Sequence, residues 1–282
     1  MRRLAPVVAV GAAALVAVSG CGAQGAASLG NVKLAAADAV QQSAQKAGEV
    51  TSYSADIVLD ATGGKKGDSK VRGSVLYQGK PSLATDVKLD TITFNGRNVP
   101  GGARVILTGN TVYAKSEAFN KVAGTTKPWV KVSLDELDKG DQAEAQKLMG
   151  QAQQFDLAGT VKLLTASKDV KAVGTESVGG VETTHYSGTF PVDEAAQVID
   201  PAERERLQGQ LSHLKNVKFD LWSDAQSLPR KVTLSGSEQG VTFNLAAALK
   251  GFNEPVQIVA PPADQVGVLP DRHGESGGTG GN

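Results

Sequence analysis

The sequence predicts an α+β domain: one large curved antiparallel sheet with helices on its concave side. About ten or more short runs alternate apolar and polar residues at a period of two, with Gly, Asn and Pro between them. Helical periodicity is confined to the start, the middle and the three-quarter mark of the chain. No linker interrupts residues 48–262, so these elements belong to one domain.

The N-terminus is read separately. Arg2 and Arg3 precede an apolar run from Leu4 to Val18, which ends in Val18-Ser19-Gly20-Cys21. Small residues before the one cysteine of the chain read as a bacterial lipoprotein signal. The basic end stays on the cytoplasmic side, the apolar run enters the membrane, and the Cys21 thiol becomes a thioether to a diacylglycerol. Residues 1–20 are the expected signal peptide, residues 21–33 a lipidated tether of small and polar residues, 34–262 the domain, and 263–282 a Gly-rich disordered tail. A disulfide framework is impossible with one cysteine. Nothing after residue 21 is long and apolar enough to cross a bilayer as a helix.

Leu34 to Gly48 is rich in Ala and Gln, and Leu34, Ala37, Val40, Ala44 and Ala47 recur at helical spacing. Ser52–Asp60 and Val71–Tyr77 alternate and form a hairpin around a Gly-Gly-Lys-Lys-Gly-Asp turn. Leu83–Leu89 and Thr91–Phe94 extend the sheet. Arg104–Thr108 and Thr111–Lys115 flank Gly109-Asn110, a tight-hairpin signature. Trp129–Val132 is one more strand. Helical spacing then covers Leu134–Leu137, Ala143–Phe155 and Val161–Ala166, with faces apolar enough only to cover something else.

Strand character resumes at Val170–Thr175 and Val181–Phe190, turning at Gly179-Gly180. Glu182, Thr184, Tyr186, Gly188 and Phe190 share one face of the second run; Val181, Thr183, His185, Ser187 and Thr189 share the other. Val192–Ile199 and Pro201–Leu214 read as helices, the latter with proline in its first turn. Val217–Trp222, Arg230–Gly236 and Val241–Leu249 are strands, and Pro255–Val259 is a short edge strand.

The chain carries 29 basic and 29 acidic residues. Without residues 1–20, which hold two arginines and no acids, the net charge is −2. This balance offers no footprint for a nucleic-acid partner. The three histidines, His185, His213 and His273, lack metal-ligand spacing. No serine sits in a nucleophile-elbow pattern, and no Gly pair opens a phosphate loop. Asp193-Glu194 and Asp135-Glu136 lie near helix starts, where acids oppose the macrodipole favourably. No catalytic residue is expected, and no metal or cofactor beyond the covalent diacylglycerol. Tyr53, Tyr77, Trp129, Tyr186, Phe190, Phe219, Trp222 and Phe243 all lie in strands, on a side that helices or a ligand must cover. They are the candidates for lining an apolar cavity. Aromatics are only 5% of the chain and the helices are rich in small residues, which leaves room between sheet and cover.

The order of local motifs adds a resemblance. After the signal come Lys-Pro-Trp-Val-Lys-Val at 127–132, Thr-His-Tyr-Ser-Gly at 184–188, Asp-Ala-Gln-Ser-Leu-Pro-Arg-Lys-Val at 224–232 and Phe-Asn-Glu-Pro-Val-Gln-Ile at 252–258. This series resembles the actinobacterial LppX/LprAFG-like lipoproteins, with the wider LolA/LolB-like fold behind them. The resemblance implies an incomplete antiparallel β-barrel, a half-pipe with helices packed on its concave face. It further implies a non-catalytic protein on the outer face of the cell membrane that holds acylated lipids or glycolipids and carries them across the envelope, with an envelope transport protein as partner. A surface scaffold with a closed core, binding a protein partner, is the competing reading. A continuous apolar space under the helices would favour the first, and a solid core the second.

Overall fold

The structure is a computed structural model that describes residues 25–63, 67–122, 124–133, 135, 157–199, 201, 204, 214–238 and 240–268. The described strands are β1 (Ser52–Gly63), β2 (Ser69–Gln78), β3 (Ala84–Phe94), β4 (Arg97–Asn98), β5 (Ala103–Thr108), β6 (Thr111–Lys115), β7 (Trp129–Ser133), β8 (Lys171–Val178), β9 (Val181–Pro191), β10 (Asn216–Asp224), β11 (Pro229–Glu238), β12 (Val241–Lys250) and β13 (Val266–Val268). The described helices are α1 (Gly25–Gly48), α2 (Glu117–Val122), α3 (Leu157–Leu164) and α4 (Val192–Val198).

Two meanders build the sheet. The first runs β1-β2-β3-β5-β6-β7, and the second β8-β9-β10-β11-β12. They join where β12 pairs antiparallel with β1, from Ser54 opposite Lys250 to Gly63 opposite Val241. The result is one 13-stranded sheet with β8 at one edge and β13 at the other. Those edges do not pair, so the sheet is an open half-barrel, in the α+β class that the alternating runs predict. The turns follow their chemistry: Asn95-Gly96 and Gly179-Gly180 all have positive φ, the backbone that primed hairpin turns require.

The core lies between one face of the sheet and α1, α3 and α4. Ala36, Val40 and Ala47 of α1 meet Leu157, Val161 and Leu164 of α3, and Ala195 and Ala196 of α4. Tyr53, Ala55, Val75, Phe190, Val217, Phe219, Leu221, Val232 and Leu249 supply the sheet side. The buried stripe of α1 is Ala36, Val40, Ser43 and Ala47, spaced by three or four residues. Ala37 of the expected stripe is exposed, because the buried stripe is centred one residue away.

The structure corrects several boundaries. α1 begins at Gly25, so helix replaces most of the expected tether. The two expected strands around Asp90 are one strand, β3. Gly73 pairs with Leu89 and Arg72 with Thr91, which leaves Asp90 as the extra residue of a bulge and keeps the apolar faces in phase. α2 was not expected, and the helix expected at 161–166 spans Leu157–Leu164. Pro255–Val259 is not a strand. Pro255, Pro261 and Pro262 lack donors, and this segment passes over the surface with Val259 68% exposed. The last edge is made instead by β13, inside the expected tail, pairing parallel with β7 from Val266 opposite Trp129 to Val268 opposite Lys131. The helices expected over 134–137 and 143–155 lie outside the described residues. The one expected over 201–214 is described as helix only at Pro201 and Arg204.

Candidate functional site

Cross-strand register sorts side chains onto two faces. On the helix-facing side, four apolar rows cross the sheet. The first is Val87, Val75, Ala55 and Leu249; the second is Leu89, Gly73, Ile57, Ala247, Val232, Leu221 and Tyr186. The third is Ile92, Val71, Leu59, Leu245, Leu234 and Phe219, and the fourth Phe94, Ser69, Ala61, Phe243, Gly236, Val217 and Phe190.

These rows are not equally covered. Ala55, Val75, Leu221, Val232 and Leu249 are buried, and Tyr53 beside them stacks on Tyr77 with ring centroids 5.2 Å apart. On β9 and β10, Phe190 and Phe219 are fully buried and 6.2 Å apart. Farther along the central strands, Leu59, Val71, Ile92, Leu234, Leu245 and Phe243 are only half-buried, although each is apolar and faces the helices. Phe94, at the end of its row, is 50% exposed. Among the described residues, the helix-facing surface is thus sealed at one end of the central strands and only partly covered at the other.

Of the candidate residues, Tyr53, Tyr77, Tyr186, Phe190, Phe219 and Phe243 share the helix-facing side, and all six belong to or pack against its core. Trp129 and Trp222 do not. Trp222 pairs with His185 and Lys231, and Trp129 follows Lys115 in register, so both project from the outer face. Their burial comes from polar neighbours rather than helices: Arg104 and Lys115 lie 5.7 and 5.9 Å from the Trp129 ring centre. Sequence periodicity alone gave no relative phase between strands, so it grouped all eight. The aliphatic residues of the open end were missed as site residues, although the alternation of Leu59 and Val71 was the available signal. Cys21 lies outside the described residues.

The outer face is polar and internally paired. The His185 ring stacks on Trp222 at 4.3 Å, with its Nε2 2.9 Å from Asp220 Oδ1 and its Nδ1 3.4 Å from Glu176 Oε1. Trp222 Nε1 donates to Glu176, and Lys231 Nζ lies 4.2 Å from the Trp222 ring centre. Burial pushes the Asp220 carboxyl up, but hydrogen bonds from His185 and Ser187, with Lys218 nearby, hold it below the usual carboxylate range. Arg104 makes a two-pronged pair with Asp86 at 2.8 and 2.6 Å, which raises the arginine further. A shallow groove of about 370 Å³ on this face is lined by Thr189, Asn216, Lys218, Ser235, Ser237 and Thr242, with Gly236 as its floor. Asp193 and Glu194 occupy the first turn of α4, and Glu194 pairs with Lys168 at 2.6 Å. These contacts tie neighbouring strands of the sheet together.

The comparisons can be set against this geometry. A Streptomyces griseus protein described as an uncharacterized 31.2 kDa protein in the rplA–rplJ intergenic region is 31% identical over 142 residues, covering 49% of this chain and 47% of the relative. A Streptomyces coelicolor protein named as a lipoprotein is 26% identical over 172 residues, covering 56% of each. The chain therefore spans about half the length of the curated relatives it matches. No family model matches. Among solved structures, the crystal structure of lipoprotein LppX from Mycobacterium tuberculosis is 16% identical with a TM-score of 0.45, covering 80% of this chain and 99% of that one. This chain is similar to LppX.

Proposed function

We propose that this chain is an envelope lipoprotein, held at the outer face of the cell membrane by a diacylglycerol on Cys21, that shelters the acyl tail of a lipid or glycolipid against the helix-facing side of its sheet. The observation that carries this reading is the open end of the apolar rows. Leu59, Val71, Ile92, Leu234, Leu245 and Phe243 face the helices and remain half-buried. Each methylene moved from water onto such a surface contributes about 0.8 kcal/mol, so a tail of ordinary length gains several kcal/mol. A closed-core scaffold has no reason to keep this surface apolar and only partly buried.

Anchor and shelter work together in this reading. The two chains on Cys21 keep the domain at the membrane, and the open end accepts a third-party tail without exposing it to water. Transfer across the envelope follows if an envelope transport protein supplies or receives that tail. The Streptomyces coelicolor relative, being named as a lipoprotein, supports the anchor.

Native mass spectrometry of the protein purified from its own host tests the shelter. Acylated adducts that survive desalting are expected. A clean unliganded mass, together with no uptake of a fluorescent fatty acid, overturns the proposal. For the anchor, Cys21→Ser should abolish lipidation and shift the protein out of the membrane fraction; an unchanged lipid modification would refute it.

A further inference from the structure

The fourth apolar row changes height along its length. From β3 to β11 it reads Phe94, Ser69, Ala61, Phe243 and Gly236, each opposite the next in register. Ser69, Ala61 and Gly236 are small, so this row is a shallow trough beside the taller third row of Ile92, Val71, Leu59, Leu245 and Leu234. One ring interrupts the trough. A Cβ placed on Gly236 would fall 2.6 Å from Phe243 Cε1 and 3.3 Å from its Cζ. The ring therefore lies across the glycine and fills the space a side chain would take.

That ring stands at a boundary. Past it, Val217 and Phe190 are fully buried. Before it, Leu59, Val71, Ile92 and Leu245 are only partly buried. Phe243 packs against the core and still keeps part of its surface exposed. β9 and β10 use the same device with a different outcome. A Cβ on Gly188 would fall 2.9 Å from Phe219 Cε1 and Cζ, so that ring also covers the glycine opposite it, yet Phe219 is fully buried. Phe219 is core, whereas Phe243 closes the core off and faces the trough.

We propose that Phe243 is the end wall of the trough and sets the length of acyl tail that the protein shelters. The inference rests on the tail-sheltering reading and adds the residue that selects among tails. A straight chain laid along the row from β3 has Ser69 and Ala61 as its floor, the third row as one flank and the Phe243 ring as its stop. From Phe94 to Phe243 is three strand spacings, about 14 Å. Methylenes within that span leave water, and those beyond it gain nothing, because the ring already holds the place over Gly236. Phe243→Ala would join Ala61 to Gly236 and let the trough run on towards Val217, about 10 Å farther.

The test is displacement of a fluorescent fatty acid from the purified protein by a homologous series of saturated fatty acids. Affinity should rise about fourfold per added methylene while the tail lies inside the trough, and then level off. Phe243→Ala should move the levelling point to longer acids, so that the longest bind about tenfold or more tighter than to the native protein. Phe243→Leu, which keeps an apolar contact but lacks the ring that covers Gly236, should move it the same way by less. Gly236→Ala pushes the ring back over the trough and should move it to shorter acids. A residue that only packs would, when replaced, weaken every acid alike and leave the levelling point in place. That result overturns the proposal, as does a shift to longer acids in Gly236→Ala. The two readings fail separately. Fatty-acid binding with an unmoved levelling point sinks the wall alone, and no binding of any acid by the native protein sinks the shelter and the wall with it.

Discussion

The two ends of the same apolar rows are built from similar side chains and reach different outcomes. At the sealed end, Val75, Leu221 and Leu249 join the core with α1, α3 and α4 and lose nearly all contact with water. At the open end, Leu59, Leu245 and Val71 point the same way and stay only partly buried. Strand composition therefore sets which face is apolar, and helix placement sets how much of that face is core. The sealed end carries stability, and the open end is left for a ligand.

The sharpest way to break this division is Phe219→Ala. Removing a fully buried ring should cost about 3–5 kcal/mol, read as a lower midpoint in chemical denaturation. A loss near 1 kcal/mol would mean that the core over β9 and β10 is not packed as described.

Asp224 is next. Its carboxylate is almost fully buried in the β10–β11 turn, where it accepts from Gln226 N and Leu228 N, both at 2.9 Å, and from Arg230 Nε at 2.6 Å. Arg230 in turn covers the Phe252 ring at 5.0 Å. Asp224→Ala strands a partly buried guanidinium and two amides, and about 2–3 kcal/mol of stability should be lost. Calorimetry checks this, and Asp224→Asn should recover part of the loss through the two amide bonds.

At the open end the balance reverses. Leu245→Ala should cost only about 1–2 kcal/mol, less than a fully buried leucine because part of the side chain already meets water, while weakening retention of a fluorescent fatty acid by about three- to tenfold. A large stability loss with unchanged retention would erase the distinction between the ends.

The smallest expected effect concerns acid. Asp169 accepts from Thr189 N at 2.7 Å and Ser167 Oγ at 2.9 Å; burial pushes its carboxyl up, but these bonds together hold it below the usual value. A carboxyl depressed on folding contributes stability that is full above its unfolded pKa and is lost as pH falls through the folded one. Asp169→Asn should therefore flatten the stability profile below about pH 4 and leave its shape near neutrality unchanged. Denaturation midpoints measured across that range decide it.

Much of the sheet was legible because a half-covered strand must alternate. Tyr53, Ala55 and Ile57 declared their face, and Gly109-Asn110 and Gly179-Gly180 declared their turns. What stayed hidden was relational. The pairing of β12 with β1 joins residues nearly two hundred positions apart, and no local pattern encodes it. Nor could periodicity show that Trp129 and Trp222 face away from the helices, because each strand's phase is defined only against its neighbours. The early start of α1 was masked by Gly25, Gly30 and the small polar residues around them, which read as tether.

The parallel contact between β13 and β7 has a practical meaning for the chain's biogenesis. Trp129–Ser133 is made long before Val266–Val268, the segment that covers it. Until that later segment emerges the flank waits unpaired, and Val266–Val268 then stitch it. Cutting the chain after residue 262 would remove the stitch, leaving the β7 edge a ready template for chain-to-chain sticking.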